Sequence, residues 1–220
     1  MMHKYQNIPG WMNYHEAYDR VVEHIPEDGK ILEIGCFMGK STSYLLTNLW
    51  NAEKQNVTVY ALDTFKGSSE HSFLNNTLGP GGSFKHITRN NLMFFVNRDI
   101  CQLVEGRSDD PAMIDNYSDE FFDVIMVDGA HEYDAVCEDI DNWWPKLKKG
   151  GVMLLDDCYM NSVKQAASER LQDKVPDYMI MTGIESTGIA YKGMDGEDAD
   201  AQTVKRRQWV KIIPEDHFKA

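Results

Sequence analysis

Four points along this chain carry residue types that could do chemistry. The first is a glycine-bearing loop, Gly35-Cys36-Phe37-Met38-Gly39-Lys40-Ser41, with Glu33 just before it. The others are acids: Asp63, then Asp128 with His131 three residues on, then the pair Asp156-Asp157. Glycines let a backbone pass close to a ligand. Carboxylates bind hydroxyl groups or a hard cation, and an imidazole can take a proton near neutrality. The loop invites a phosphate-binding reading, but GxxxxGK[ST] needs glycine at position 34, where the chain has Ile34. Starting from Gly35, the loop is one residue short of the N–H groups that curl round a phosphate. The dinucleotide pattern GxGxxG fails as well, because Phe37 holds its second glycine position.

These residues need elements to position them. Lys30 to Ile34 reads as a short buried strand, and the loop leads from it into a helix from about Ser41 to Trp50. Val57 to Leu62 is a second strand running into Asp63, and Cys101 to Glu105 a third, followed by Gly106-Arg107-Ser108. Phe122 to Val127 is a fourth, ending at Asp128. Val152 to Leu155 is a fifth, ending at Asp156-Asp157. Helices are expected over Asn13 to His24, Thr88 to Arg98, Glu132 to Trp144 and Ser162 to Asp173. Further strands fall near Tyr178 to Thr182, Gly188 to Tyr191 and Gln208 to Ile213. Helix Glu132 to Trp144 closes at Pro145 and the Lys-Leu-Lys-Lys-Gly-Gly turn, and Trp143-Trp144 reads as core. Residues 64–90 hold Gly67, Gly79, Gly81 and Gly82 in a polar stretch, expected to be a flap over the site.

Alternating strands and helices make an α/β fold: a mostly parallel sheet with helices on both faces. Ligands in such folds sit at the carboxyl ends of the strands, where strand order reverses. Every polar candidate follows a strand, so all of them gather at that edge.

Composition narrows the partners. The chain has 220 residues, 22 Lys plus Arg against 35 Asp plus Glu, and a formal charge of -13. From Asp109 to Asp141 there are twelve acids and no Lys or Arg. Such a surface repels phosphate backbones, so neither nucleic acid nor an anionic membrane is expected as a partner. No apolar run approaches the ~20 residues of a membrane span, and the first residues lack the apolar core of a signal peptide. Four cysteines, widely spaced with no CxxC pair, read as buried thiols in a reducing compartment. A cytoplasmic protein with one domain over 1–220 is expected.

The pattern ExGxxxGxS, formed by Glu33, Gly35, Gly39 and Ser41, resembles motif I of class I S-adenosylmethionine (SAM)-dependent methyltransferases. With IPGWM, ALDTFKG, VDGAHEYDAVCEDIDNWWPKLKKGG and LLDDC, it is similar to the group of macrocin- and noviose-type sugar O-methyltransferases. More distantly it resembles catechol O-methyltransferase. The likeness covers roughly residues 8–160. It implies a Rossmann-like seven-stranded sheet with the last strand antiparallel, SAM as cofactor and, in these groups, a divalent metal. By the same resemblance the cofactor falls to Glu33, Gly35, Phe37, Gly39, Ser41, Asp63, Thr64, Ser108 and Asp128. Asp63 suits both ribose hydroxyls, Ser41 and its helix start suit a carboxylate, and Ser108 suits the adenine ring.

The resemblance assigns metal ligation to Asp128, Asp156 and Asp157. Three carboxylates at one sheet edge repel one another and call for a cation, and hard oxygen ligands favour Mg²⁺. The competing reading makes Asp128 a turn residue and Asp156-Asp157 a helix cap. His131 sits where catechol O-methyltransferase has its catalytic lysine, so His131 and Asp128 are the candidates for the proton-handling step. The expected reaction is methyl transfer from SAM to a hydroxyl of a sugar, polyol or other small molecule. A P-loop-like phosphotransferase and a SAM- or metal-binding module without catalysis stand as alternatives. The oligomeric state is left open, a homo-oligomer included.

Overall fold

The computed structural model describes residues 1, 2, 4–67, 82–171 and the strand at 188–191. Five parallel strands form its centre: β1 (Lys30–Ile34), β2 (Thr58–Asp63), β3 (Cys101–Glu105), β4 (Phe122–Val127) and β5 (Leu147–Leu155). A sixth, β6 (Gly188–Tyr191), pairs antiparallel with β5, and the sheet order is β3-β2-β1-β4-β5-β6. The order reverses between β1 and β4. A crevice opens there at the carboxyl ends, because the connections leaving the two strands part to opposite sides.

Side chains alternate along each central strand, and the sequence uses both faces. Ile31, Val124 and Met126 point to one core, packed with Tyr18 and Val21 of the helix His15–His24 and Leu45, Leu46 and Leu49 of the helix Lys40–Asn51. Leu32, Ile34, Ile125 and Val127 point to the other, under the helices Tyr133–Trp143 and Asn161–Leu171. All six residues of β4 are buried. One of them is Asp123, whose carboxylate accepts from the backbone of Lys30 at 2.9 Å and from Lys148 Nζ at 2.8 Å. That pairing lets an acid sit in a central strand.

Trp143 and Trp144 are core, as expected, and all four cysteines are buried and free. Three expectations are corrected. β5 begins at Leu147, so residues 147–151 of the Lys-Leu-Lys-Lys-Gly-Gly stretch are strand, not turn, with Leu147 pairing beside Phe122 and a register shift before Val124. The chain is helical from Lys85 to Asn91 and again from Met93 to Val96, so the irregular stretch ends before residue 90. A four-residue helix, Pro111–Ile114, lies where no helix was expected, capped by Asp110, whose carboxylate accepts from the Ala112 N–H at 3.0 Å. The centre of the expected flap (68–81) and the strands near Tyr178 and Gln208 lie outside the described residues.

Candidate active site

The strand ends open into one cavity of about 830 Å³, lined by the glycine loop, Asp63-Thr64, Gly106 to Asp109, Asp128 to Glu132 and Asp156-Asp157. Its volume falls within the range of small-molecule sites. The amino-terminal segment supplies a further wall through Gly10, Trp11 and Asn13.

The loop after β1 is built by close approach. A Cβ on Gly35 would lie 1.8 Å from the carbonyl oxygen of Asp128, and φ there is +89°, so the backbones of β1 and β4 meet where no side chain fits. Gly39 (φ +85°) starts the helix Lys40–Asn51 with no side-chain cap, which leaves its first N–H groups without an intrahelical partner. Phe37 takes a positive φ of 48°. Its N–H donates to Asp63 Oδ2 at 2.8 Å, while Asp63 Oδ1 accepts from the Phe65 N–H at 2.7 Å.

Glu33 is fully buried and does not line the cavity. Tyr18 and Ser41 donate to its Oε1 at 2.9 and 2.5 Å, and Thr42 to its Oε2 at 2.5 Å. Burial holds its pKa above the usual carboxylate range, although the three hydroxyls oppose that shift. Glu33 thus fastens the helix start from below. Ser41 borders the cavity with its hydroxyl committed to Glu33, and Gly39 lies behind the wall. Lys40, the residue a P-loop would aim at phosphate, instead donates to the Gly10 carbonyl at 2.9 Å. Phe37, Asp63, Thr64, Ser108 and Asp128 all line the cavity.

The acidic edge is crowded. Asp128, His131 and Asp157 bring ligand atoms within 4.8 Å of one another, and His131 Nε2 lies 2.8 Å from Asp157 Oδ2. Asp156 lines the same cavity, but its Oδ1 is buried with no hydrogen-bond partner among the described residues. Burial, with Asp156 next to it, pushes Asp128 well above the carboxylate range. Burial and then Asp157 push Asp156 up to about 7. His131 holds Asp157 below its ordinary value. Clustered acids with an orphaned oxygen fit a divalent cation, which would relieve both the repulsion and the missing partner.

Two residues of the site escaped the sequence reading. Tyr14 donates its hydroxyl to Asp128 Oδ2 at 2.8 Å. Asp139, on the helix Tyr133–Trp143, is buried beside Ser108 and held up to about 6 by burial, with Asp109 and Glu138 adding to the rise and the Ser108 hydrogen bond opposing it. Tyr14 reads in sequence as one more aromatic on an apolar helix face, and Asp139 as one more acid in an acidic stretch.

A methyltransferase-domain family matches residues 32–158, more than half of the chain, and the chain belongs to that family. Together with the fold, this defines a SAM-dependent methyltransferase domain and sets the phosphotransferase reading aside. The O-methyltransferase NovP is similar in structure, with a TM-score of 0.61 at 20% identity, covering 83% of this chain and 80% of that one. CalS11, a TDP-rhamnose 3'-O-methyltransferase of calicheamicin biosynthesis, has a TM-score of 0.56 at 17% identity, covering 82% and 77%. In sequence, protein R132 of Acanthamoeba polyphaga mimivirus is 26% identical over 127 residues, 52% of this chain. The match spans 58% of that relative's length. No helix among the described residues is long and apolar enough to cross a membrane.

Proposed function

We propose that the protein moves a methyl group from SAM to a small-molecule hydroxyl, with a sugar or polyol as the leading acceptor class and a divalent cation, Mg²⁺ first, at the acidic edge. The observation that carries this reading is the meeting of Asp63, Asp128 and Asp156-Asp157 in one cavity, with a buried Asp156 oxygen lacking a partner. The acceptor class is supported by the likeness to NovP and CalS11. The reading includes one domain over 1–220, a seven-stranded sheet with its last strand antiparallel, and a cytoplasmic setting that suits four buried free thiols.

Asp63 would accept the ribose hydroxyls with the lone pairs its two backbone donors leave over. Thr64 and Phe37 border that end of the cavity. With the Ser41 hydroxyl taken by Glu33, the uncapped helix start offers its backbone N–H groups to the amino-acid carboxylate. Ser108 would face the base. Asp128, Asp156 and Asp157 would hold the cation, which supplies Lewis acidity toward the acceptor oxygen. SAM, when bound, supplies a methyl group on a positively charged sulfur that leaves as a neutral thioether.

With SAM bound, the acceptor oxygen would gain the methyl group and the sulfur would leave as the thioether. The hydroxyl proton passes to His131, and the imidazolium so formed faces Asp157 at 2.8 Å. Holding the reactants collinear supplies much of the rate.

The test uses SAM carrying a labelled methyl group with a panel of sugar and polyol acceptors, with and without EDTA. Label should move to an acceptor oxygen. Chelation should abolish transfer yet leave S-adenosylhomocysteine binding intact, and Asp157→Asn should act like chelation. Undiminished turnover in excess EDTA would remove the cation from this reading, and cofactor binding with no transfer to any acceptor would favour a binding module.

A further inference from the structure

We propose that Tyr14 is a positioning residue that sets the orientation of Asp128 for the cation, so that the amino-terminal segment completes the active site. The proposal rests on the cation reading given above.

The geometry is specific. Tyr14 is 1% exposed, and its hydroxyl reaches across the fold to donate to Asp128 Oδ2 at 2.8 Å. Its backbone begins the helix His15–His24, where the Tyr14 carbonyl accepts from the Tyr18 N–H at 3.2 Å. Its ring packs edge-on to the ring of Tyr18 at 5.1 Å. The phenol therefore stands on a fixed base.

A carboxylate on a short side chain turns about its last bond unless something holds it. One donor on Oδ2 fixes that rotation, and a carboxylate oxygen of Asp128 lies within 4.8 Å of ligand atoms of His131 and Asp157. Groups that bond to a ligand in this way orient it, and losing one typically costs 10–100-fold in metal affinity. Tyr14 follows directly on Gly10, Trp11 and Asn13, which line the same cavity. The first helix start thus brings both a wall and the hydrogen bond that aims a ligand. Tyr14 lies outside the residues 32–158 that match the methyltransferase-domain family.

The experiment is calorimetric titration of the full chain with Mn²⁺, and separately with S-adenosylhomocysteine, for the unaltered protein, Tyr14→Phe, Tyr14→Leu and Tyr18→Phe. Tyr14→Phe should weaken Mn²⁺ binding by about 10–100-fold while S-adenosylhomocysteine affinity holds. Tyr14→Leu, which keeps an apolar side chain without a donor, should show the same loss. Tyr18→Phe removes an equally buried phenol that faces Glu33, and should leave Mn²⁺ affinity unchanged. The proposal is overturned if either Tyr14 variant binds Mn²⁺ as the unaltered protein does, or if Tyr18→Phe loses as much. Absence of Mn²⁺ binding by the unaltered protein would overturn the cation reading and this role together, a result distinct from failure at Tyr14 alone.

Discussion

The carboxylate of Asp63 receives the backbone N–H of Phe37 at 2.8 Å, joining the end of β2 to the loop after β1. The acid suited to a ribose is therefore also the clamp that holds Phe37 in its left-handed conformation. A ribose would use lone pairs of the same two oxygens that the Phe37 and Phe65 donors leave over, so both could be served at once.

Asp63→Ala should weaken S-adenosylhomocysteine binding by about 1.5–3 kcal/mol, the scale of a charged hydrogen-bond partner. Asp63→Asn, which keeps one acceptor oxygen, should fall between the two. Calorimetry is the measurement, and an Asp63→Ala protein that binds with undiminished affinity would refute the ribose contact.

His131→Ala should lower kcat/KM by about 10² or more if the imidazole takes the hydroxyl proton. The pH–rate profile should lose its limb near neutrality, where an imidazole ordinarily titrates. A variant with a near-normal rate and an unchanged profile would move the proton-accepting role to Asp128. That residue faces the same cavity.

Asp139 gives a pH prediction for stability. Its folded pKa, up to about 6, lies above the ordinary aspartate value expected in the unfolded chain, and burial is the main cause. The folded state therefore binds the extra proton. The stabilisation is fully present below the unfolded value, is lost as pH rises through about 6, and leaves an ionised buried acid at neutral pH. Asp139→Asn should stabilise the protein at pH 7.5 by about 2–3 kcal/mol relative to the parent, and the gap should close toward pH 4. Urea unfolding at both pH values measures it. A gap that does not change with pH would show that Asp139 stays ionised throughout.

Much of the frame was legible because it is local. β1, β3 and β4 keep the bounds read from apolar runs, and the positions of Asp63, Asp128 and Asp156-Asp157 follow from counting to each strand's end. What failed depends on distant partners. Leu147 to Gly151 carries turn-like residues, yet β4 lies beside it and recruits it as strand. The hydroxyls of Tyr18, Ser41 and Thr42 that converge on Glu33 likewise leave no mark in the motif around it. The Tyr14–Asp128 bond spans 114 residues, and no periodicity along the chain encodes such a pairing. Hydrophobic period reports which face a residue takes, not which polar group waits there.

Phe37 has one further consequence. Its ring meets Trp11 of the amino-terminal wall at 6.1 Å and Phe84, at the start of the helix Lys85–Asn91, at 5.1 Å. A Cβ on Gly10 would already press on it at 3.2 Å. The two borders of the cavity are thus geared through a single aromatic wheel. Drawing back either one would strip apolar cover from the ring, so each border's position carries a cost in wetting Phe37.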